Sequence, residues 1–161
     1  MTPRQCEIAA ESYTACLLAQ SGYDVLVQYG ANQPLYDLMA VKGENRKLPI
    51  SVKGSQDGGW MLAVRYLKPG VDYIAAIQKW LDVQRNDVVY VFVGFLQVPL
   101  GVAPRVYIAR PPEIAAHLRL QSSGQGRAVL REDTPRFYPR SKEMDKIPSH
   151  WLYSTERIDT I

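Results

Sequence analysis

Residues 36–55 read YDLMAVKGENRKLPISVKGS, and the fold turns on how this stretch pairs with itself. Residues 37–41 form one apolar strand, Gly43-Glu44-Asn45 a turn, and residues 48–53 a second strand, the pattern of an antiparallel hairpin. A turn centred on Glu44-Asn45 sets Asp37 opposite Val52, with Ser51 and Lys53 as diagonal neighbours; a shift of one residue brings Asp37 directly beside one of those two. Ser51 and Lys53 share one face of the sheet. Asp is disfavoured in strands, yet Asp37 heads this one, next to a lysine on a strand that runs into the glycine-rich loop GSQDGG at 54–59. The plainest reading is an ordinary Asp–Lys pair at a strand end, which is worth little. Pro49 removes a ladder hydrogen bond and predicts an edge or bulge.

Working outward, Thr2-Pro3-Arg4-Gln5 is a capping box with proline in the first turn. It opens a helix that runs to about Gln20, with Gly22 as its left-handed terminator. Residues 23–29 precede the hairpin as a strand, and residues 60–67 follow it as another. Asp72 caps a helix to about Gln84, with Ile74, Ile77, Trp80 and Leu81 on its apolar face. Residues 87–95 are continuously apolar, as expected of a central strand covered on both faces. A short strand at 105–109 and a helix at 111–120 follow. Residues 121–127 read as a loose surface loop, and 149–158 as a short closing helix carrying Trp151. The class is α/β: one domain over 1–161, with a mixed sheet flanked by helices, a core over about 3–110 and a helical, basic extension over about 111–161.

The 161 residues (18.2 kDa) are 47% hydrophobic and 22% charged, which excludes a disordered or fibrous chain. The run 88–93 has a strand's length and is far too short for a membrane span. The first residues lead straight into the helix, so no secretory leader is expected. Cys6 and Cys16 lie about 15 Å apart on one helix and cannot pair with each other. With two histidines and no CxxC, a disulfide scaffold and a structural zinc site are excluded, and a reducing cytoplasm is the expectation. Residues 1–100 carry nine basic and nine acidic side chains, so the net charge of +3 arises entirely in 101–161. There Arg127, Arg131, Arg136, Arg140 and Lys142 face only Glu132 and Asp133, which suits either a polyanion or plain solvated surface.

One residue of the first helix is out of place. Ile8, Ala15 and Leu18 stand three before, four after and seven after Glu11, which puts a carboxylate in an apolar stripe, with Glu7 one turn earlier. Such a charge needs a partner, a metal or a task. Helix geometry alone favours the blander answer, a salt bridge at the stripe's edge.

Taken together, Glu11, the GYDV after Ser21, YDLMAV from Tyr36 and ISVKGS from Ile50 resemble the PD-(D/E)xK nuclease superfamily, and within it the small stand-alone bacterial proteins with a D…SVK core. Holliday junction resolvases and Mrr-like restriction domains are more distant relatives of that branch. The resemblance spans about residues 5–95 and implies a restriction endonuclease-like αβββαβ core, with metal-dependent hydrolysis of DNA phosphodiesters as the activity. It further implies Mg²⁺ or Mn²⁺ held by Asp37, Glu11 and the Val52 carbonyl, with Lys53 as the catalytic lysine. The chain departs from the pattern at Ser51, where the superfamily has Glu or Gln. That leaves a weaker site, a site completed by Glu7 or Asp57, or a silent nuclease-fold domain that binds nucleic acid or a protein partner. DNA is the implied partner, a homodimer is compatible, and no membrane is involved. Gln28, Gln56 and Trp60 flank the site and are candidate nucleic-acid contacts, although packing is the simpler role for each. Arg136 and Arg140 bracket Phe137 and Tyr138 in a stretch suited to phosphates and bases. His117 and His150 read as structural or exposed.

Overall fold

The computed structural model describes residues 1–27, 36–132, 140, 142 and 145–161. Gln28 and Arg136 lie outside the described residues. In chain order the elements are α1 (Pro3–Gln20), β1 (Asp24–Val27), β2 (Leu38–Lys42), β3 (Arg46–Ser55), β4 (Gly59–Met61), α2 (Tyr73–Asp82), β5 (Val89–Gly94), β6 (Arg105–Ala109), α3 (Pro111–Leu120), β7 (Val129–Arg131) and α4 (Thr155–Thr160). Five strands form a mixed sheet in the order β1-β2-β3-β5-β6, in which only β3 and β5 run parallel; β4 and β7 make a separate ribbon. The expected α/β class and αβββαβ order are both present. Among the described residues no helix is long and apolar enough to cross a membrane.

The capping box at Thr2 forms: Gln5 N–H donates to Thr2 Oγ1 at 3.2 Å, and Thr2 N–H donates to Gln5 Oε1 at 2.8 Å. The buried line of α1 is Cys6, Ala10, Thr14 and Leu18, spaced four apart. The stripe read through Ile8 is therefore rotated, and Ile8 is 48% exposed. The buried line is rich in small side chains, which lets the helix lie directly on β3. A Cβ at Gly54 would stand 2.9 Å from both Ala10 Cβ and the Cys6 carbonyl oxygen.

The period of two in β5 divides the interior. Val89, Val91 and Val93 join Leu38, Ile50, Val52, Ile108 and Leu18 in an aliphatic core under α1. Tyr90 and Phe92 face the other way, into a core with Trp60, Trp80, Tyr107 and Trp151 under α2 and α3. All of β5 is buried, as its unbroken apolar run requires.

Four expectations need correction. The hairpin turn has three residues, with Lys42 opposite Arg46, so it centres on Glu44, and Asp37 lies one step beyond the Leu38–Ile50 pair, level with Ser51 rather than Val52. The strand at 60–67 stops at Met61. Trp60, Leu62 and Ala63 all turn inward, a pattern without strand alternation, and the Leu62 and Ala63 amides donate to the Ala128 carbonyl. Residues 121–127 are not a loose loop. Gln121 is 1% exposed, its amide nitrogen donates to the Asp145 carbonyl, and Ser122 N–H donates to Asp145 Oδ1 at 2.7 Å. The closing helix is two pieces, a single 3₁₀ turn at Ser149–Trp151 and then α4, because Leu152 bridges to Tyr107 between them. Pro49 sits in a central strand, but β5 begins to pair with β3 only at Ile50, so its missing donor costs no bond on that side.

Candidate functional site

The site lies where β2 has ended and β3 runs on. Asp37 N–H donates to the Ile50 carbonyl at 2.8 Å, anchoring the residue as the last rung of the hairpin. Its Oδ2 then accepts the Val52 N–H at 2.6 Å and the Ser51 hydroxyl at 3.3 Å. The carboxylate thus occupies the place on β3 that another strand residue would have filled. Among the described residues Oδ1 accepts no hydrogen bond. In a strand the N–H and C=O of one residue leave on the same edge, so the Val52 carbonyl faces the same opening as Asp37.

Lys53 follows two residues later with an exposed side chain, and no carboxylate among the described residues lies within ion-pair distance of it. Its backbone is fixed, since its carbonyl accepts the Trp60 indole N–H at 2.7 Å. Glu11 is half-buried on the flank of α1. Desolvation raises its carboxyl above the ordinary range, and the charges of Asp37 and Glu7 push the same way, against smaller opposite effects of Arg4 and Lys53. Glu11 therefore lies within electrostatic reach of Asp37 and of Lys53, although it is not among the residues that line the cleft beside them.

Ser51 is 8% exposed and lies level with Tyr90 of β5. Tyr90 donates to Gln84 Oε1 at 2.7 Å. Its own hydroxyl proton is held more tightly than usual, first by burial and then by the Asp37 charge. Position 51 thus holds a buried, uncharged hydroxyl bonded to Asp37, with Tyr90 level with it on β5. Of the two carboxylates offered in place of an acid at position 51, Glu7 lines the cleft but is paired with Arg4 at 2.7 Å. Asp57 is turned into its own loop, its Oδ1 accepting the Ser55 hydroxyl at 2.9 Å and the Gly59 N–H at 3.0 Å.

A cleft of about 890 Å³ opens beside Asp37 and Lys53. Its lining includes Tyr36, Asp37, Ser51 and Lys53, the apolar Met61, Val64 and Val83, and the buried rings of Trp60, Trp80 and Tyr90. Arg65 and Arg85 also line it. Gln56 and Arg140 are exposed and outside this lining, and Trp60 is 3% exposed in the core. Sequence reading missed the rest of the cleft's lining. Tyr90 had a signal, because a parallel pairing of β3 with β5 sets Tyr90 level with Ser51 and Phe92 level with Lys53. Met61, Arg65 and Val83 had none, since they arrive from elements whose placement depends on the whole fold.

Asp37 Oδ1, the Glu11 carboxylate and the Val52 carbonyl are the oxygens that could hold a metal here. Among the described residues no group of three or more His, Cys, Asp or Glu side chains converges as a metal site. This set suits one hard divalent cation that keeps most of its water, and it does not suit zinc.

No family model matches the chain, and no curated protein does. Among solved structures, the chain is similar to Archaeoglobus fulgidus Hjc, a Holliday junction resolvase from an archaeal hyperthermophile. The two share 13% identity with a TM-score of 0.41, over 88% of this chain and 98% of that one.

Proposed function

We propose that the chain is a metal-dependent nuclease of the PD-(D/E)xK type that hydrolyses DNA phosphodiesters. The observation that carries this reading is the Asp37 carboxylate, pinned by the Val52 N–H with one oxygen left open, beside the exposed Lys53 and within the field of Glu11. Asp37, Glu11 and the Val52 carbonyl would hold Mg²⁺ or Mn²⁺, which supplies a more acidic bound water and neutralises charge at the phosphate. The protein's own part is placement. Rigid β3 fixes the Asp37–Lys53 spacing, Lys53 offers its ammonium to the phosphoryl oxygens, and Ser51 orients Asp37 without adding charge. The free thiols Cys6 and Cys16 accord with a reducing cytoplasm as its place of action.

The test is cleavage of supercoiled, linear and branched DNA with Mg²⁺ and with Mn²⁺. Asp37→Ala should abolish activity and Lys53→Ala should lower it by about 10²-fold or more. Cleavage that survives Asp37→Ala rejects the assignment. A second reading is favoured by Ser51 itself, buried, uncharged and bonded to Asp37: a silent nuclease-fold domain that binds nucleic acid or a protein partner. Under that reading the wild type cuts nothing, and Ser51→Glu, which restores the third acid, gains metal-dependent cleavage.

A further inference from the structure

We infer that the cleft beside Asp37 and Lys53 receives an unpaired nucleotide, so that the substrate is single-stranded or locally unpaired DNA held mainly by apolar contact rather than by base-edge readout; this rests on the nuclease reading of Asp37 and Lys53. The cleft is amphipathic in a particular way. It is lined both by the phosphate-compatible cations Lys53 and Arg65 and by the apolar Met61 and Val83, which among the described residues are 78% and 59% exposed. Its volume of about 890 Å³ falls in the range of sites that enclose a small ligand. A base inside a duplex offers only its edge and cannot enter such a recess unless it is first unstacked.

The aromatic lining is already packed. Trp80 and Tyr90 pack at 5.9 Å between ring centroids, and Trp60 meets Phe92 edge-on at 5.3 Å, so the recess costs no reorganisation to open. Several of its polar groups bond to one another. Gln84 accepts from Tyr90 and donates to the Trp80 carbonyl, Ser51 donates to Asp37, and the Trp60 indole donates to Lys53. The Gln84 amide keeps a second N–H and a second lone pair, and the rings themselves are buried, so binding in the cleft rests mainly on apolar contact with the exposed Met61 and Val83 and on the plane of Arg65. Arg65 supplies a plane: its guanidinium lies over the Tyr66 ring at 4.8 Å and donates to the Tyr66 hydroxyl, which leaves its outer face exposed beside the cleft. Arg85 is already paired with Asp87 at 2.6 Å and is the weaker phosphate contact.

The experiment is fluorescence anisotropy with Ca²⁺ in place of Mg²⁺, comparing a labelled mixed-sequence strand, labelled oligothymidylate, the blunt duplex of the first strand, and that duplex with a central bulge. We expect the two single strands to bind within a few-fold of each other, and both they and the bulged duplex to bind about ten-fold tighter than the blunt duplex. Val83→Asp and Met61→Asp place a charge on exposed positions and should collapse that preference to near unity, with folding checked by circular dichroism. Blunt duplex bound as tightly as single strand, or a preference unmoved in both variants, overturns the inference. Asp37-dependent cleavage of intact duplex would then leave the nuclease reading standing alone, whereas failure to bind any DNA removes both.

Discussion

The two faces of the central sheet are built from the same strands yet behave as different materials. Under α1 the core is aliphatic and close-fitting, with Val89, Val91 and Val93 meeting small side chains and a glycine. Under α2 and α3 the same strand presents Tyr90 and Phe92 to tryptophans, and the larger rings leave a rim where the cleft opens. The close face carries Glu11, whose carboxyl feels the charge of Asp37. The aromatic face shapes the space beside it. What the difference teaches is that precision in the site comes from the face that cannot yield, and room for a ligand from the face that was never filled to its edge.

The strongest way to break this contrast is to remove the aromatic lining. Trp60→Ala should cost about 4 kcal/mol, measured by urea unfolding, because it deletes a buried indole, two edge-on ring contacts and the donor to Lys53. A loss below 1 kcal/mol would mean that the lining is not a packed unit.

A pH titration comes next, and it should separate the faces by sign. His117, in contact with Trp151 and hydrogen-bonded to Gln121, is pushed down to about 4 by burial, with the Asp145 charge opposing and that of His150 assisting. Its unfolded value is near 6.5. Because the folded value is the lower one, the stability that neutral His117 contributes is complete above pH 6.5 and is lost as pH falls toward about 4, a change on the order of 3 kcal/mol. Unfolding measured across that window should show the slope in the wild type and lose most of it in His117→Gln.

Gly54→Ala tests the close face. The added methyl meets helix backbone at 2.9 Å, so α1 must lift, at a cost of about 2 kcal/mol. Thermal stabilisation by Mn²⁺ should fall with it, since the helix carries Glu11. A stable variant with undiminished Mn²⁺ response would show that the contact is not what sets the site.

The smallest effect is at Glu11 itself. Its carboxyl is raised first by desolvation and then by Asp37 and Glu7, so the charged form costs stability at neutral pH, and that cost disappears as pH falls through the raised value. Glu11→Gln should melt slightly higher than wild type at pH 7 without divalent metal, converge with it in acid, and respond less to Mn²⁺. Calorimetry showing Glu11→Gln less stable at pH 7 would remove the strain inferred at this position.

The sequence by itself determined the pieces whose signals are local. Thr2 to Gln5 capped α1, Gly22 ended it, Arg105–Ala109 and Pro111–Leu120 came out at their observed bounds, and the unbroken run around β5 marked a buried strand. It also placed Asp37 beside Ser51 and Lys53, because a hairpin joined by a three-residue turn has almost no freedom in register, and a slip of one residue leaves those neighbours in reach. Only the tertiary structure decided which line of α1 is buried, since apolar and polar residues are mixed round that helix without one strong stripe and the choice falls to the side that lets its backbone reach Gly54. Only the tertiary structure, too, joined β4 to β7 and brought Met61, Arg65 and Val83 into one cleft with Asp37. Those contacts close long loops, their energy comes from packing against partners distant in the chain, and no window of local sequence contains both sides of them.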